Sequence, residues 1–169
     1  MSEGREIRCY DYVNHPYEQV RNVLSKDALA VFQSATNAAA SRAQSIASSL
    51  HVDMGGIGVK AEIIISVKNI EEKTHEAMTG PITRLQLEWQ SAKMPGLFPF
   101  MKAELSIYPL TSTETQLDFS GLYEPPLGSV GKAVNAIVGR RIAEVSVHSF
   151  VCDVAGYLSR TGIGAERQR

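Results

Sequence analysis

The sequence predicts an α+β domain in which a curved antiparallel sheet wraps around one long C-terminal helix. Segments between residues 59 and 123 alternate apolar and polar side chains with a period of two, which is typical of strands with one buried and one solvated face. A stretch of about thirty residues without proline follows, from Ser129 to Ser159, and would form a helix roughly 45 Å long. A sheet with one apolar face must cover that face with another element, so we expect this helix to lie across the apolar face.

The bulk composition predicts one soluble globular domain. The chain has 169 residues, of which 44% are apolar and 21% charged. We expect a single domain over residues 1–169, with a core from about 6 to 158 and a frayed tail at 161–169. A net charge of −1 provides no field that would attract nucleic acid. The lack of a signal-peptide core and of a run of ~20 apolar residues predicts a cytoplasmic protein without stable membrane insertion.

The two cysteines and four histidines match no metal or cofactor spacing. Cys9 and Cys152 are far apart in sequence, so we expect two reduced thiols. His51 and Asp53 have a spacing that could bind a metal, but two loop residues make a poor site, and we expect them to be solvated. His15 and His75 are predicted to be surface histidines. The sequence therefore predicts neither a metal nor a cofactor.

The N-terminal part of the chain predicts a strand and then two short helices. Residues 5–13 alternate weakly and contain Tyr and Val, which favour a strand. Asn14 is a suitable cap for the first helix, with Pro16 in its first turn. Asp27 is the predicted cap of the second helix. The Ala- and Ser-rich residues 36–51 indicate a helical extension or a helical loop.

The middle of the chain predicts an antiparallel meander. Strands are expected at about 59–67, 82–92, 101–108 and 117–123, with a turn-bearing connection, ragged strand or bulge over 69–81. Two prolines, Pro125 and Pro126, then end the last strand in a sharp turn. Ser129 is the predicted cap of the final helix. The side chains that alternation places on the inner face are Val59, Ala61, Ile63, Ile65, Val67, Leu85, Leu87, Trp89, Met101, Ala103, Leu105, Ile107, Leu117, Phe119, Gly121 and Tyr123.

Several local motifs agree with this order of elements. The segment Asn14-His15-Pro16-Tyr17-Glu18-Gln19-Val20 is a strand-to-helix entry, and Gly121-Leu122-Tyr123-Glu124-Pro125-Pro126, followed by Gly128 and Gly131, is a strand-to-helix turn. Trp89 and Leu97-Phe98-Pro99 flank the central hairpin. With these motifs, the chain from Glu6 to Leu158 resembles the START-like superfamily, also called SRPBCC or Bet v 1-like, and in particular its uncharacterised bacterial members.

This resemblance implies the helix-grip fold, with a cavity between the sheet and the C-terminal helix. Such a cavity would hold a hydrophobic or amphipathic small molecule. The superfamily includes lipid carriers, hormone receptors, polyketide cyclases and aromatases, so the fold by itself does not select one function.

The candidate ligand-binding residues come from the inner face of the sheet and from the final helix. A filled core is the favoured interpretation for most of them, and the alternative is a cavity wall, which is also apolar. Trp89 and Tyr123 stand out because a buried N–H or O–H needs a partner. The candidates are Ile65, Leu87, Trp89, Leu105, Ile107, Phe119, Tyr123, Val134, Arg141, Val145 and His148.

On the final helix, two charged candidates lie close to an apolar stripe. Helical spacing places Arg141 and His148 near the stripe of Val130, Val134 and Val145. The alternative is that Arg141 forms a surface ion pair with Glu144, which would contribute little. The apolar stripe drifts along the helix, because Val147, Val151, Val154 and Leu158 continue on another side. One end of the helix is therefore expected to contact other elements or a second subunit, which leaves a homodimer open.

Three classes of function remain after this reading. The first is a non-enzymatic module that binds a hydrophobic small molecule. The second is an enzyme of polyketide cyclase/aromatase or hydratase type in the same cavity, with Tyr123, Arg141, Glu144 and His148 as polar participants. The third is a scaffold or partner-binding domain with a solid core. The glycines at 55–58 lead into a strand, and Ala133 stands where a phosphate loop needs Ser or Thr, so neither segment is a nucleotide motif.

Overall fold

The strands and helices follow the predicted order. The structure, a computed structural model, describes residues 5–49, 63–75, 80–91, 100–124 and 136–166. Within those residues the elements are β1 (Arg5–Val13), α1 (Tyr17–Ser49), β2 (Ile63–His75), β3 (Gly80–Ser91), β4 (Phe100–Pro109), β5 (Thr115–Glu124) and α2 (Ala136–Glu166).

The described strands form one antiparallel sheet in the order β1-β5-β4-β3-β2. Strands β2 to β5 are a meander, and β1 adds to β5 at the far end. Both helices lie against the apolar face: α2 packs along β1 and α1, and α1 also contacts β2. This architecture is the predicted helix-grip fold.

The predicted alternation of side chains is confirmed on β3, β4 and β5. Their inward side chains are buried, whereas the side chains between them are half-buried or exposed. The outward side chains form ion pairs, as expected on the solvent-facing side of a sheet. An example is Arg84 and Glu104, whose Nε and Oε1 atoms are 3.7 Å apart. The buried inward residues are Leu85, Leu87, Trp89, Met101, Ala103, Leu105, Ile107, Leu117, Phe119 and Tyr123.

Strand β2 is longer than the sequence predicts, because a bulge carries it through the predicted connection. Its register with β3 shifts between Val67 and Asn69, and pairing then continues as far as His75. After the extra residue Ile70 pairs with the buried Leu85, although Ile70 itself is exposed at this outer strand of the sheet. Residues 59–62 lie outside the described part of the chain.

Helix α1 contains the two predicted helices, which run together across a kink. Only one residue inside it is non-helical, Asp27, with φ −127° and ψ 26°. The break therefore falls at the residue predicted to cap the second helix. The second part continues to Ser49 rather than staying short, because the Ala-rich sequence has high helix propensity and contains neither Gly nor Pro.

Helix α2 is long, as predicted, but its observed range differs. The predicted start at Ser129 lies outside the described residues, and the helix is described from Ala136. At the other end its backbone is helical as far as Glu166. No proline interrupts this segment, and single glycines are tolerated within a helix at a cost of about 1 kcal/mol.

The corner between β1 and α1 is tied to three other elements. The backbone oxygen of His15 accepts a hydrogen bond from Thr115 Oγ1 at 2.8 Å, and His15 Nε2 lies 2.9 Å from the backbone oxygen of Ser159. The Tyr17 hydroxyl is hydrogen-bonded to Thr83 Oγ1. His15 is thus half-buried and hydrogen-bonded, not the surface histidine that the sequence predicted.

Candidate functional site

The inner face of the sheet is built from rows of side chains that cross neighbouring strands. At one end, Tyr123, Met101 and Trp89 stand side by side on β5, β4 and β3. The next row holds the small residues Gly121 and Ala103. Since the pleat places every second residue on the same face, these positions follow directly from the alternation in the sequence.

Four aromatic rings fill the space where the two helices meet over the sheet. The ring of Phe150, from α2, is at the centre. Its centroid lies 5.1 Å from that of Trp89, 5.8 Å from that of Phe119 and 6.0 Å from that of Phe32 of α1. The contacts with Trp89 and Phe119 are edge-on, which aromatic rings favour. This aromatic cluster joins the sheet to both helices.

Neighbouring side chains occupy the space over the row of small residues. A Cβ atom added to Gly121 would lie 2.9 Å from the Phe119 ring and 2.9 Å from Met101 Sδ, so the ring lies across the glycine. Ala103 retains 6% exposure and Trp89 retains 7%, whereas Leu105 and Phe119 are fully buried. The remaining accessible surface of the inner face of β3 and β4 is therefore greatest around Ala103 and Trp89.

The structure brings together six of the predicted site residues on the inner face. They share one apolar surface and are all buried: Leu87, Trp89, Leu105, Ile107, Phe119 and Tyr123. The side chain of Ile65 lies outside the described part of the chain, although its backbone pairs with Trp89. Val134 lies outside the described residues altogether.

The two charged candidates on α2 lie at its surface, in agreement with the alternative given for Arg141. Arg141 and His148 are exposed, and Val145 is only half-buried. The buried face of the helix is instead the second stripe that the sequence contained, namely Ala143, Val147, Phe150, Val151, Val154, Ala155 and Leu158. This longer stripe buries more apolar area than the stripe of Val130, Val134 and Val145 could, and it therefore sets the rotation of the helix.

Sequence reasoning missed Phe150, the residue at the centre of the aromatic cluster. Its signal was present, since Phe150 falls three residues after Val147 and four before Val154, the spacing of one helix face.

The expected partner of Glu144 is also corrected. Glu144 Oε1 pairs with the guanidinium of Arg140, at 2.8 Å from Nε, and not with Arg141. This pair is exposed and has i,i+4 spacing, which aligns two side chains on one side of a helix. Its contribution to stability is small, because solvent screens an exposed ion pair.

Polar groups at the inner face of the described residues are few. The phenol of Tyr123 is buried at one end of the face. The hydrogen-bonded pair of Tyr17 and Thr83 lies at the opposite end of the face. In the part of the chain that the structure describes, no three His, Cys, Asp or Glu side chains are grouped so that they could hold a metal ion.

Comparison with solved structures finds similar chains of low identity. A START superfamily protein from Mycobacterium smegmatis has 11% identity over 94% of this chain and 99% of that chain, with a TM-score of 0.49. An aromatase/cyclase from a Streptomyces species has 11% identity over 92% of this chain and 94% of that chain, with a TM-score of 0.47. Norcoclaurine synthase from Thalictrum flavum has 13% identity over 93% of this chain and 88% of that chain, with a TM-score of 0.47.

No protein-family model and no curated protein matches the sequence. The resemblance to the START-like superfamily thus holds at the level of the fold, and the observed order of strands and helices carries that assignment. None of the helices in the described ranges is long and apolar enough to cross a membrane.

Proposed function

We propose that the protein binds a hydrophobic or amphipathic small molecule between the sheet and α2. The observation that carries this proposal is the apolar inner face of β3 and β4, on which Trp89 and Ala103 retain 7% and 6% exposure while Leu105 and Ile107 retain none. Pockets for apolar ligands are lined mainly by hydrophobic and aromatic side chains.

The proposed pocket wall is the apolar part of the predicted site. Trp89 and Phe119 offer ring faces, and Leu87 offers an aliphatic surface next to Ala103. Tyr123 is the polar member of the wall, and its hydroxyl can orient a carbonyl or hydroxyl group of the ligand. Leu105 and Ile107 would form the floor below the aromatic cluster.

The exposure of Arg141, Glu144 and His148 weighs against the alternative of a cyclase or hydratase. A cavity enzyme needs its acid, base or electrophile within hydrogen-bond reach of the substrate. Of the four polar participants considered for such an enzyme, Tyr123 alone is buried on the inner face.

The single tryptophan of the chain supplies the test, because Trp89 stands in the proposed wall. We expect titration with an anilinonaphthalene sulfonate dye or a medium-chain fatty acid to change Trp89 fluorescence saturably. The variant Ala103→Leu fills the space beside Trp89 and should weaken binding at least tenfold. Its matched control, Ala30→Leu, makes the same change at an exposed position of α1 and should leave binding unchanged.

Native mass spectrometry of the freshly purified protein provides a second measurement. A bound apolar molecule that is lost in Ala103→Leu and kept in Ala30→Leu would support the proposal. Unchanged Trp89 fluorescence with every probe, together with a ligand-free mass, would contradict it and favour a solid-core scaffold.

A further inference from the structure

The outer face of the sheet, opposite the face that the helices cover, carries three tyrosines. Tyr10 and Tyr12 of β1 are 76% and 53% exposed, and Tyr108 of β4 is half-buried. Tyr12 and Tyr108 both pair with Gln116 of β5, so these three residues form one row across the sheet, with Tyr10 in the next row. Contiguous exposed apolar patches mark interaction sites, and tyrosine is enriched at interfaces between proteins. A partner that covered these rings would therefore gain binding free energy.

The rest of this outer face is charged. Arg8 of β1 and Lys102 of β4 are exposed there, and the Arg8 Nε atom lies 2.7 Å from Glu6 Oε1. On β1, β5 and β4 the register defines four rows, which are Glu6-Leu122-Lys102, Arg8-Ser120-Glu104, Tyr10-Asp118-Ser106 and Tyr12-Gln116-Tyr108. We call the first two rows the charged half of the face and the last two rows the tyrosine half.

The two halves are complementary to each other, which is the condition for a symmetric dimer. In such a dimer a two-fold axis brings the same surface of two chains together, so that residue i contacts residue j and j contacts i. Here the axis would lie between the two sheets, run across the strands and pass between the rows of Arg8 and Tyr10. Each charged row would then lie on a tyrosine row of the second copy, with β1 over β1 and β4 over β4. Packed sheets keep their strands within about 30° of each other, which preserves this matching.

The contacts made in this arrangement have favourable signs. Arg8 would lie over the ring of Tyr10 of the second copy, and Lys102 over that of Tyr108, as cation–π contacts. Asp118 would lie diagonally opposite Arg8 of the second copy, so the symmetry forms this ion pair twice. No two like charges lie directly opposite each other in the four rows. A second copy of the chain therefore fits the charge pattern of this face better than a partner with charges of one sign.

We propose that the protein forms a symmetric dimer through the outer face of the sheet, with the tyrosine half of each copy on the charged half of the other. Four rows across β1, β5, β4 and β3 cover a plane of roughly 500 Å², because neighbouring strands are ~4.8 Å apart and residues on one face about 6.8 Å apart. This is the size of a weak interface, for which the total buried area is below about 1,200 Å². The dimer is therefore in equilibrium with the monomer. It leaves the inner face of the sheet uncovered by the partner, so it does not depend on the proposed function.

Sedimentation velocity of the whole chain over a series of concentrations tests the association. We expect the average mass to rise with concentration from the 18.4 kDa of one chain towards twice that value, and not beyond, because a two-fold interface is closed. Added sodium chloride should raise the dissociation constant several-fold, since salt screens exposed ion pairs. A constant mass of one chain at every concentration, or growth past the dimer, would overturn the proposal.

Charge-swap variants test which surface forms the interface. Arg8→Glu and Asp118→Arg should each raise the dissociation constant at least tenfold, because like charges then oppose each other twice. An equimolar mixture of the two variants should dimerise again, since opposite charges face each other at both contacts of the mixed dimer. Lys26→Glu makes the same charge change as Arg8→Glu at an exposed position of α1 and should leave association unchanged.

Tyr10→Ala provides a test that changes no charge. The ring is 76% exposed, so its removal should leave the fold intact, which circular dichroism verifies, and should raise the dissociation constant several-fold. This variant also decides the question if a charge variant fails to fold. The proposal is wrong if the mixed charge variants stay monomeric, or if Tyr10→Ala associates as tightly as the Lys26→Glu control.

Discussion

Gly121 shows how one residue shapes the inner face of the sheet. It lies opposite Ile7 on β1 and Ala103 on β4, where a larger side chain would occupy the middle of the face. The Phe119 ring takes that space instead and lies across the glycine. Position 121 therefore needs a glycine so that the Phe119 ring can pack there, and not because the backbone must be flexible.

We expect Gly121→Ala to destabilise the protein by about 1–3 kcal/mol, because the added methyl group would overpack against Phe119 and Met101. Urea unfolding followed by Trp89 fluorescence measures this change. Gly156→Ala is the matched control: its Cβ atom would meet only the flexible end of Arg160, at 3.3 Å, and Ala favours a helix by roughly 0.5–1 kcal/mol. Equal effects of the two substitutions would contradict this account of Gly121.

At the scale of elements, the corner between β1 and α1 fixes how the helices sit on the sheet. Within a few residues the chain is hydrogen-bonded to β5 through Thr115, to α2 through Ser159 and to β3 through Thr83. Thr83 and Thr115 are buried, so each hydroxyl depends on a protein partner. These hydrogen bonds hold the start of α1 at the end of the sheet opposite the proposed pocket.

Tyr17→Phe should cost about 1–3 kcal/mol, because it leaves the buried Thr83 hydroxyl without its tyrosine partner. Tyr12→Phe provides the control, since Tyr12 is 53% exposed and its hydroxyl can be solvated. Chemical denaturation of the two variants compares them directly. A loss in Tyr12→Phe as large as that in Tyr17→Phe would show that the hydrogen bond to Thr83 contributes little.

At the scale of the whole molecule, the aromatic cluster connects the sheet, α1 and α2. Phe150 contacts rings from β3, β5 and α1, so it joins elements that are far apart in sequence. Helix α2 packs mainly on β1 and α1, and these rings provide its contact with the middle of the sheet. The extent to which Phe150 fills the interior therefore limits the space that a ligand can occupy.

Phe150→Ala is expected to destabilise the protein by ~3–5 kcal/mol through the lost burial and the cavity it leaves. If the variant stays folded, the enlarged space should also raise the affinity for an anilinonaphthalene sulfonate dye. Arg141→Ala, an exposed change on the same helix, should alter stability by less than about 0.5 kcal/mol. A loss below 1 kcal/mol in Phe150→Ala would mean that the cluster does not hold α2 in place.

The sequence by itself determined the strands and the inner face, because an alternation with a period of two shows which face of each strand is buried. It also placed six candidates, from Leu87 to Tyr123, on the inner face, where they are buried. Tertiary structure decided the rest. The last helix has two apolar stripes, and packing against β1 and α1 buries the one that contains Phe150. With that stripe buried, Arg141 and His148 lie on the exposed side of the helix. That choice depends on contacts between distant segments, which leave no local pattern in the sequence.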